Sequence, residues 1–262
     1  MDQLFLAIAL VAGVGLIAGV GLAIAAKVMH VPSDPRADEL LAVLPGANCG
    51  ACGFAGCAAY ANAIAAQDAA VNLCVPGGEN TAKALAGIMG VEAQTVAKKR
   101  AVVLCGGTLE KCKASYEYRG EQTCAAASML FSGQKQCNYG CLGFGDCAKK
   151  CPENAIEVVD GIARVDRQRC IGCSLCVVTC PKKIITMLEY EGKALNLCSS
   201  QSAGAISRKQ CAGACIGCKL CTKTCPSNAI TVENNLARVD ETKCTGCRAC
   251  IEKCPTKSLY FF

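Results

Sequence analysis

The sequence is poor in the large side chains that fill most hydrophobic cores. Among its 262 residues there is no tryptophan, and there are only six phenylalanines and six tyrosines. Alanine and glycine are frequent instead, which leaves little bulk for packing. A scaffold of this kind needs another source of stability, and disulfides or bound metals are the usual ones.

Several classes of active site are also missing. No G-x-G-x-x-G fingerprint opens a strand–helix unit and no Walker A loop occurs, so the sequence shows no nucleotide site. The single histidine, His30, follows an apolar N-terminal stretch, where we expect it at a membrane edge rather than as a ligand. No acid–base pair or activated nucleophile stands out, so we predict no catalytic residue and no substrate-converting active site in this chain.

Cysteine is the abundant residue, with 25 copies, far above ordinary usage. Three runs have the spacing C-x2-C-x2-C-x3-C-P, which is typical of bacterial two-cluster ferredoxins. In that arrangement three thiolates bind one [4Fe–4S] cluster, and the fourth binds the neighbouring cluster. The three runs are Cys170-Cys173-Cys176-Cys180, Cys215-Cys218-Cys221-Cys225 and Cys244-Cys247-Cys250-Cys254.

A further group of cysteines, Cys49, Cys52, Cys57 and Cys74, has the spacing C-x2-C-x4-C-x16-C. Glycines beside the first three allow the backbone to approach a cluster closely. Because the group supplies one complete set of four ligands, it predicts an independent cluster module ahead of the ferredoxin runs.

Disulfides are the ordinary explanation for many cysteines, and structural zinc is another. Cysteines two or three residues apart in repeated runs suit a cluster better than distant cross-links. We also expect no cleavable export signal, because the N-terminus lacks a positive leading region. We therefore favour iron–sulfur clusters and keep disulfides and zinc as the alternatives.

The cysteine runs belong to a repeat with an offset of 74 residues, in which Cys124 recurs as Cys198 and Cys180 as Cys254. Self-similarity of this kind indicates duplication of one structural unit. Inside each unit, two short apolar stretches flank Asp160-Gly161 or Asn234-Asn235, which suit a two-residue hairpin turn. The repeat predicts two ferredoxin units, each with a small β-hairpin between its cysteine runs.

The repeat breaks at Phe144, where the register predicts a cysteine to match Cys218. The first unit is therefore one ligand short. Cys137 is the nearest candidate to replace it, and Cys105, Cys112 and Cys124 are the alternatives.

Crossed ligation then assigns twenty cysteines to five sites. The N-terminal site takes Cys49, Cys52, Cys57 and Cys74. The first unit takes Cys137, Cys141, Cys147 and Cys180 for one site, and Cys151, Cys170, Cys173 and Cys176 for the other. The second unit takes Cys215, Cys218, Cys221 and Cys254, and then Cys225, Cys244, Cys247 and Cys250. The cysteines left over are either small buried hydrophobes or ligands of a sixth cluster: Cys105, Cys112, Cys124, Cys198 and Cys211.

The formal charge of +6 does not indicate a nucleic-acid-binding protein. Ligating thiols are deprotonated, so a [4Fe–4S] cluster with four thiolates carries about −2. Five such clusters bring the loaded protein to about −4 by the same reasoning. We therefore predict no nucleic-acid partner.

Residues 4–26 contain no charged residue, and ~20 apolar residues span a bilayer as a helix. Asp2 precedes this stretch and Lys27 follows it, so the positive-inside rule places the cluster-bearing body in the cytoplasm. The Gly15-x3-Gly19 spacing suits close packing on a partner helix, although glycine is also simply tolerated in membrane helices. We predict a single-pass anchor in the cell (inner) membrane.

Together these patterns predict an α+β protein: a single N-terminal transmembrane helix, a small helical 4Fe–4S domain and two tandem two-cluster bacterial ferredoxin-like domains. The predicted boundaries are residues 1–27 for the anchor, 28–80 for the 4Fe–4S module, 81–123 for a helical connecting segment, 124–190 for the first ferredoxin domain and 191–262 for the second.

The chain resembles the B-type subunit of the Rnf complexes, the membrane-bound ion-translocating ferredoxin:NAD+ oxidoreductases of bacteria. Four features carry the resemblance in this order: the glycine-rich anchor, the Asn48–Cys57 motif with Cys74, the 137–147 segment and the ferredoxin runs. The resemblance covers nearly the whole length, and the combination is specific, whereas the ferredoxin runs alone fit many proteins. Shorter family members carry one ferredoxin unit, so this chain resembles an extended version.

The resemblance implies an electron-transfer subunit that accepts electrons from soluble reduced ferredoxin. About five [4Fe–4S] clusters, with a sixth left open, relay them to other membrane and flavin-bearing subunits of the complex. The whole complex then reduces NAD+ and moves Na+ or H+. The alternative is a membrane-tethered polyferredoxin carrier for a hydrogenase or another dehydrogenase.

Overall fold

The computed structural model describes residues 2–28, 34–189 and 192–262, and in the first helix the side chains of residues 10–25. His30 therefore lies outside the described residues. So does the boundary that the sequence places between residues 190 and 191.

The chain begins with helix α1, Asp2–Val28. Its described apolar side chains are exposed, for example Val11 and Ile17 at 74%. None of the helices, as far as their residues are described, combines the length and the apolar character that a membrane span requires. The anchor predicted over residues 4–26 stays a prediction.

Three helices then form a small module: α2, Pro35–Val43, α3, Cys57–Ala65, and α4, Gly78–Met89. Pro35 is pre-organised for the first helical position, and the Asp34 side chain caps α2 by accepting the Arg36 amide at 2.9 Å. The core of the module includes Leu40 and Leu85, both fully buried. Helical packing of this kind agrees with the predicted small helical domain.

Tyr60 ties the loop before Cys74 to the core of this module. Its side chain is 1% exposed, and its hydroxyl donates to the Ala70 carbonyl at 2.6 Å and accepts the Leu73 amide at 3.1 Å. Because buried polar groups need partners, these two bonds hold the loop in one place beside the helices.

The first ferredoxin unit is built from seven short elements. They are β1, Arg100–Val103, α5, Cys124–Met129, α6, Asp146–Lys149, β2, Ile156–Val159, β3, Ile162–Val165, α7, Leu175–Thr179, and β4, Ile185–Leu188. β1 pairs antiparallel with β4, and β2 with β3.

The second ferredoxin unit repeats most of this plan. Its elements are β5, Ala194–Asn196, α8, Gly204–Gln210, α9, Leu220–Thr224, β6, Ile230–Glu233, β7, Leu236–Val239, α10, Ala249–Glu252, and β8, Leu259–Phe261. β5 pairs with β8, and β6 with β7, again antiparallel. The mixture of short helices and two-stranded sheets makes the fold α+β.

The two predicted hairpins are confirmed with their turns. β2–β3 turns at Asp160-Gly161 and β6–β7 turns at Asn234-Asn235, and all four residues have positive φ. Asp, Asn and Gly tolerate this conformation, and it matches the twist of the flanking strands. The hairpins are therefore set by local sequence.

The segment 81–123 differs from the predicted helical connection. It contains the end of α4, but residues 100–103 form β1, which completes the first unit by pairing with β4. Because a short apolar strand becomes stable only beside its partner, its helix-or-strand choice depends on a segment some 80 residues away in the chain.

Strand pairing also changes how the two units align. Ala101 faces Met187 across β1–β4, and Ala194 faces Phe261 across β5–β8. Since Met187 and Phe261 are related by the offset of 74 residues, Ala101 corresponds in structure to Ala194. Counting on from these strands makes Cys105 the counterpart of Cys198.

The amides confirm this alignment. The Cys141 amide donates to Cys105 Sγ at 3.3 Å, and the Cys215 amide likewise donates to the Cys198 sulfur. Cys141 and Cys215 are themselves related by 74 residues. The first unit therefore carries an insertion between β1 and Cys124.

The two units contact each other where β1 and β5 end. The Gly106 amide donates to the Leu197 carbonyl at 2.8 Å, and Ser199 Oγ donates to the Leu104 carbonyl at 2.9 Å. Gly106 and Ser199 are counterparts in the strand alignment, so the contact is approximately symmetric.

Candidate metal centres

The N-terminal module brings its four cysteines together. Burial raises the pKa of Cys74, and the neighbouring thiolates of Cys52, Cys57 and Cys49 raise it further. Asn48 Oδ1 accepts the Cys57 amide at 2.8 Å and so fixes the start of α3 beside the other ligands. The structure thus places together the four thiols that the spacing predicts.

In the first unit, one cleft of about 380 Å³ is lined by four thiols. They are Cys124, Cys141, Cys147 and Cys180. Burial, together with the thiolates of the other three, raises the pKa of Cys147 to about 12. The set differs from the predicted one, because Cys124 stands where Cys137 was expected.

Two contacts explain how Cys124 reaches this cleft. The Asp146 carboxylate accepts the amides of Cys124 and Ala125 at 2.9 and 3.0 Å, which fixes the first turn of α5 against α6. Phe144, the residue that interrupts the repeat, packs on Tyr118 with ring centroids 5.5 Å apart, beside Cys124. The Phe144 ring takes part in the packing that holds the α5 thiol in place.

Cys137 lies in a different cleft, at the contact between the two ferredoxin units. It is buried with Cys112, Cys198 and Cys211, whereas Cys141 and Cys147 belong to the core of the first unit. Sequence spacing could not separate these positions, because four residues of loop reach either side of a unit. The signal that favours Cys124 is structural, namely the helix start fixed by Asp146.

The second cleft of the first unit is lined by the four thiols that crossed ligation predicts. They are Cys151, Cys170, Cys173 and Cys176. The Ala155 amide donates to Cys151 Sγ at 3.3 Å, and the Ala101 amide of β1 donates to Cys170 Sγ at 3.5 Å. Burial and these neighbouring thiolates raise the pKa of Cys176 to about 11.

The second unit groups its eight predicted cysteines in two sets. Burial and the thiolates of Cys215, Cys218 and Cys254 raise the pKa of Cys221 to about 11. Burial raises the pKa of Cys250 to about 11 as well, with contributions from the other three members of its set, Cys225, Cys244 and Cys247.

Amides again point at sulfur in the second unit: Ala229 to Cys225 at 3.3 Å and Ser258 to Cys254 at 3.4 Å. Cys218 and Cys247 are exposed, so each set has one thiol at the surface.

These arrangements fit iron–sulfur clusters. In a [4Fe–4S] cluster each thiolate binds its own iron atom, so four sulfurs surround one body instead of converging on one ion. Consistent with that, no three His, Cys, Asp or Glu side chains in the described part of the chain converge on a single-ion site. Amides directed at sulfur are the contacts that tune cluster potentials. The raised thiol pKa values mean that a metal must displace protons when it binds.

Family models match three parts of the chain. An Fe-S cluster model covers residues 44–76, a 4Fe-4S binding domain covers residues 162–185, and a 4Fe-4S dicluster domain covers residues 214–258. These segments contain the N-terminal group of cysteines and two of the three complete ferredoxin runs. The matches support 4Fe–4S clusters in all three parts.

Full-length comparisons agree. The chain is 47% identical over 85% of its length to the B-type subunit of the Na+-translocating ferredoxin:NAD+ oxidoreductase complex of Acetobacterium woodii, covering 67% of that protein. It is 42% identical to the B-type subunit of the ion-translocating oxidoreductase complex of Methanosarcina acetivorans, over 90% of both chains. It is 40% identical to the B-type subunit of the proton-translocating ferredoxin:NAD+ oxidoreductase complex of Clostridium ljungdahlii, over 92% of this chain and 86% of that one.

Proposed function

The chain belongs to the B-type subunit family of the Rnf-type ion-translocating oxidoreductase complexes, and from this we infer that it is an iron–sulfur electron-transfer subunit of such a complex. Bound [4Fe–4S] clusters supply one-electron redox chemistry. The chain holds them and sets their potentials through burial and amide contacts. The observation that carries the inference is the grouping of thiols in fours in each of its three modules.

We propose five ligand sets, and one of them is revised from the sequence. The first-unit site interrupted at Phe144 uses Cys124 with Cys141, Cys147 and Cys180, because these four line one cleft. The other sets are Cys49, Cys52, Cys57 and Cys74; Cys151, Cys170, Cys173 and Cys176; Cys215, Cys218, Cys221 and Cys254; and Cys225, Cys244, Cys247 and Cys250.

Adjacent sites support a relay through the chain. The Cys49 thiolate of the N-terminal module is among the neighbours that, after burial, raise the pKa of Cys173 in the first unit. Tight packing joins the two modules here, since a methyl group at Gly172 would lie 2.5 Å from the Lys99 carbonyl oxygen and 2.7 Å from Val75 Cγ1. The N-terminal site and one first-unit site are therefore neighbours.

We further propose that the subunit accepts electrons from reduced ferredoxin and passes them to membrane and flavin-bearing partner subunits. Cys218 and Cys247, exposed in the second unit, offer a surface where a soluble electron donor can approach. At the other end, α1 exposes an apolar surface that includes Leu16 and Ile17. An exposed apolar patch of this kind marks an interaction surface, so we propose that α1 anchors the body, on the cytoplasmic side, to the membrane and to a partner helix there.

Anaerobic purification, iron and sulfide analysis, and EPR spectroscopy after reduction test this function. We expect a coloured protein with at least about 20 irons, in five clusters of four, and EPR signals of reduced clusters. A colourless, EPR-silent protein that contains zinc would refute it.

A further inference from the structure

A cleft at the contact between the two ferredoxin units is lined by five thiols, and only Cys137 among them was given a role by the sequence spacing. The five are Cys105, Cys112, Cys137, Cys198 and Cys211. The cleft encloses about 340 Å³, solvent at its mouth included, which is close to the volume of the cleft lined by Cys151 and its three partners. The two clefts therefore offer similar space.

Two glycines show how closely these sulfurs approach one another. A methyl group at Gly107 would lie 3.4 Å from Cys211 Sγ and 3.6 Å from Cys105 Sγ, and 3.4 Å from Cys112 Cβ. A methyl group at Gly140 would lie 3.5 Å from Cys105 Sγ and 3.7 Å from Cys137 Sγ.

These two positions bring four cysteines around one small space. Glycine at both positions keeps side-chain bulk away from the sulfurs, as it does where a backbone lies against a bound group.

Cys112 and Cys211 are in direct contact although 99 residues separate them in the chain. The Cys211 thiol donates a hydrogen bond to Cys112 Sγ, which lowers the pKa of Cys112 and raises that of Cys211. Cys112 comes from the insertion in the first unit, and Cys211 follows α8 of the second. Thiols from both units therefore meet in this cleft.

The cleft also contains a buried positive charge. Lys135 is 3% exposed, and its ammonium donates to the carbonyls of Gly107 at 3.1 Å and Gly161 at 2.7 Å. None of the ion pairs between described residues includes it. Its counterpart at the offset of 74 residues, Lys209, is exposed.

A buried charge is costly unless an opposite charge compensates it. A cluster with four thiolates, which carries about −2, would provide that compensation.

We propose that Cys105, Cys112, Cys137 and Cys211 bind a sixth [4Fe–4S] cluster between the two ferredoxin units, a proposal that rests on the proposed electron-transfer function. Binding replaces four S–H bonds by four Fe–S bonds and releases four protons. In the relay, the site takes one electron from a reduced neighbouring site, which is oxidised in the same step. The hydrogen bond from the Cys141 amide to Cys105 Sγ makes the first-unit site that contains Cys141 one such neighbour.

The fifth thiol, Cys198, remains outside this set. Its sulfur accepts the amides of Ser200, at 3.4 Å, and of Cys215. After burial, the thiolates that raise its pKa to about 11 are those of Cys215 and Cys137. It thus lies on the side of the cleft that faces the Cys215 site, which is complete without it.

Iron analysis of the full chain, purified anaerobically, tests the proposal. The unmodified protein should contain about 24 irons, against about 20 if only five clusters are present. Cys112→Ala and Cys211→Ala should each lose about four irons and the same EPR signal, and Cys198→Ala should lose none. The iron that remains in each variant shows that the other modules are folded.

A count of about 20 in the unmodified protein, or full iron in Cys112→Ala, would overturn the sixth site while leaving the proposed function intact. So would a Cys112–Cys211 disulfide found by mass spectrometry in the iron-loaded protein. A colourless protein without iron would instead refute the proposed function itself.

Discussion

The assignment of Cys124 and Cys137 to different clusters can be tested by combining substitutions. Cys124 lines the cleft with Cys141, Cys147 and Cys180, and Cys137 lines the cleft between the units. If each ligates a separate cluster, the losses caused by Cys124→Ala and Cys137→Ala should add. If both ligate one cluster, the second substitution should cost nothing further.

The expected magnitudes follow from the iron content of one cluster. From about 24 irons in the unmodified chain, each single variant should fall to about 20 and the Cys124→Ala/Cys137→Ala double variant to about 16. The matched control is Cys124→Ala/Cys147→Ala, which removes two ligands from one cleft. That control should stay at about 20, because its two substitutions affect the same cluster.

Iron and sulfide are measured on anaerobically purified protein, and EPR of the reduced samples identifies which signal each variant loses. Cys124→Ala and Cys147→Ala should lose the same signal, and Cys137→Ala a different one. The reasoning fails if Cys124→Ala keeps its full iron, or if Cys124→Ala and Cys137→Ala lose the same signal without additive loss of iron.

The remaining predictions concern the other modules. Cys52→Ala should remove about four irons and leave the ferredoxin units loaded; loss of all iron would contradict modular folding. Deletion of residues 1–27 should give a protein that stays in the supernatant with unchanged iron, and a drop in iron would mean that α1 supports a cluster. Tyr60→Phe leaves the Leu73 amide without its partner, so the N-terminal module should lose about 1–3 kcal/mol of stability, seen as faster loss of its cluster on heating. Tyr116→Phe, which removes an exposed hydrogen bond, is its control and should change that rate little.

Features set by neighbouring residues could be predicted from the sequence. The hairpins at Asp160-Gly161 and Asn234-Asn235 have the predicted bounds, since positive φ at these residues is a local property. The grouping of Cys49, Cys52, Cys57 and Cys74 also follows from short spacings and one intervening helix.

Features that depend on distant contacts could not be predicted. β1 was expected to be part of a helical connection, because its strand partner lies beyond the whole hairpin and cysteine runs. The pairing of Cys124 with Cys198 at the constant offset concealed the insertion that makes Cys105 the counterpart of Cys198. Nothing local distinguishes buried Lys135 from exposed Lys209. Its burial arises from the packing of Gly107 and Gly161 around it.

The account is tested most directly by electron transfer from reduced ferredoxin to the iron-loaded protein. Anaerobic mixing in a stopped-flow instrument, followed by freezing for EPR, shows whether electrons reach its clusters. We predict bleaching of the visible absorbance of the protein and the appearance of signals from several reduced clusters. A protein that carries its clusters but takes no electrons from reduced ferredoxin would contradict the account.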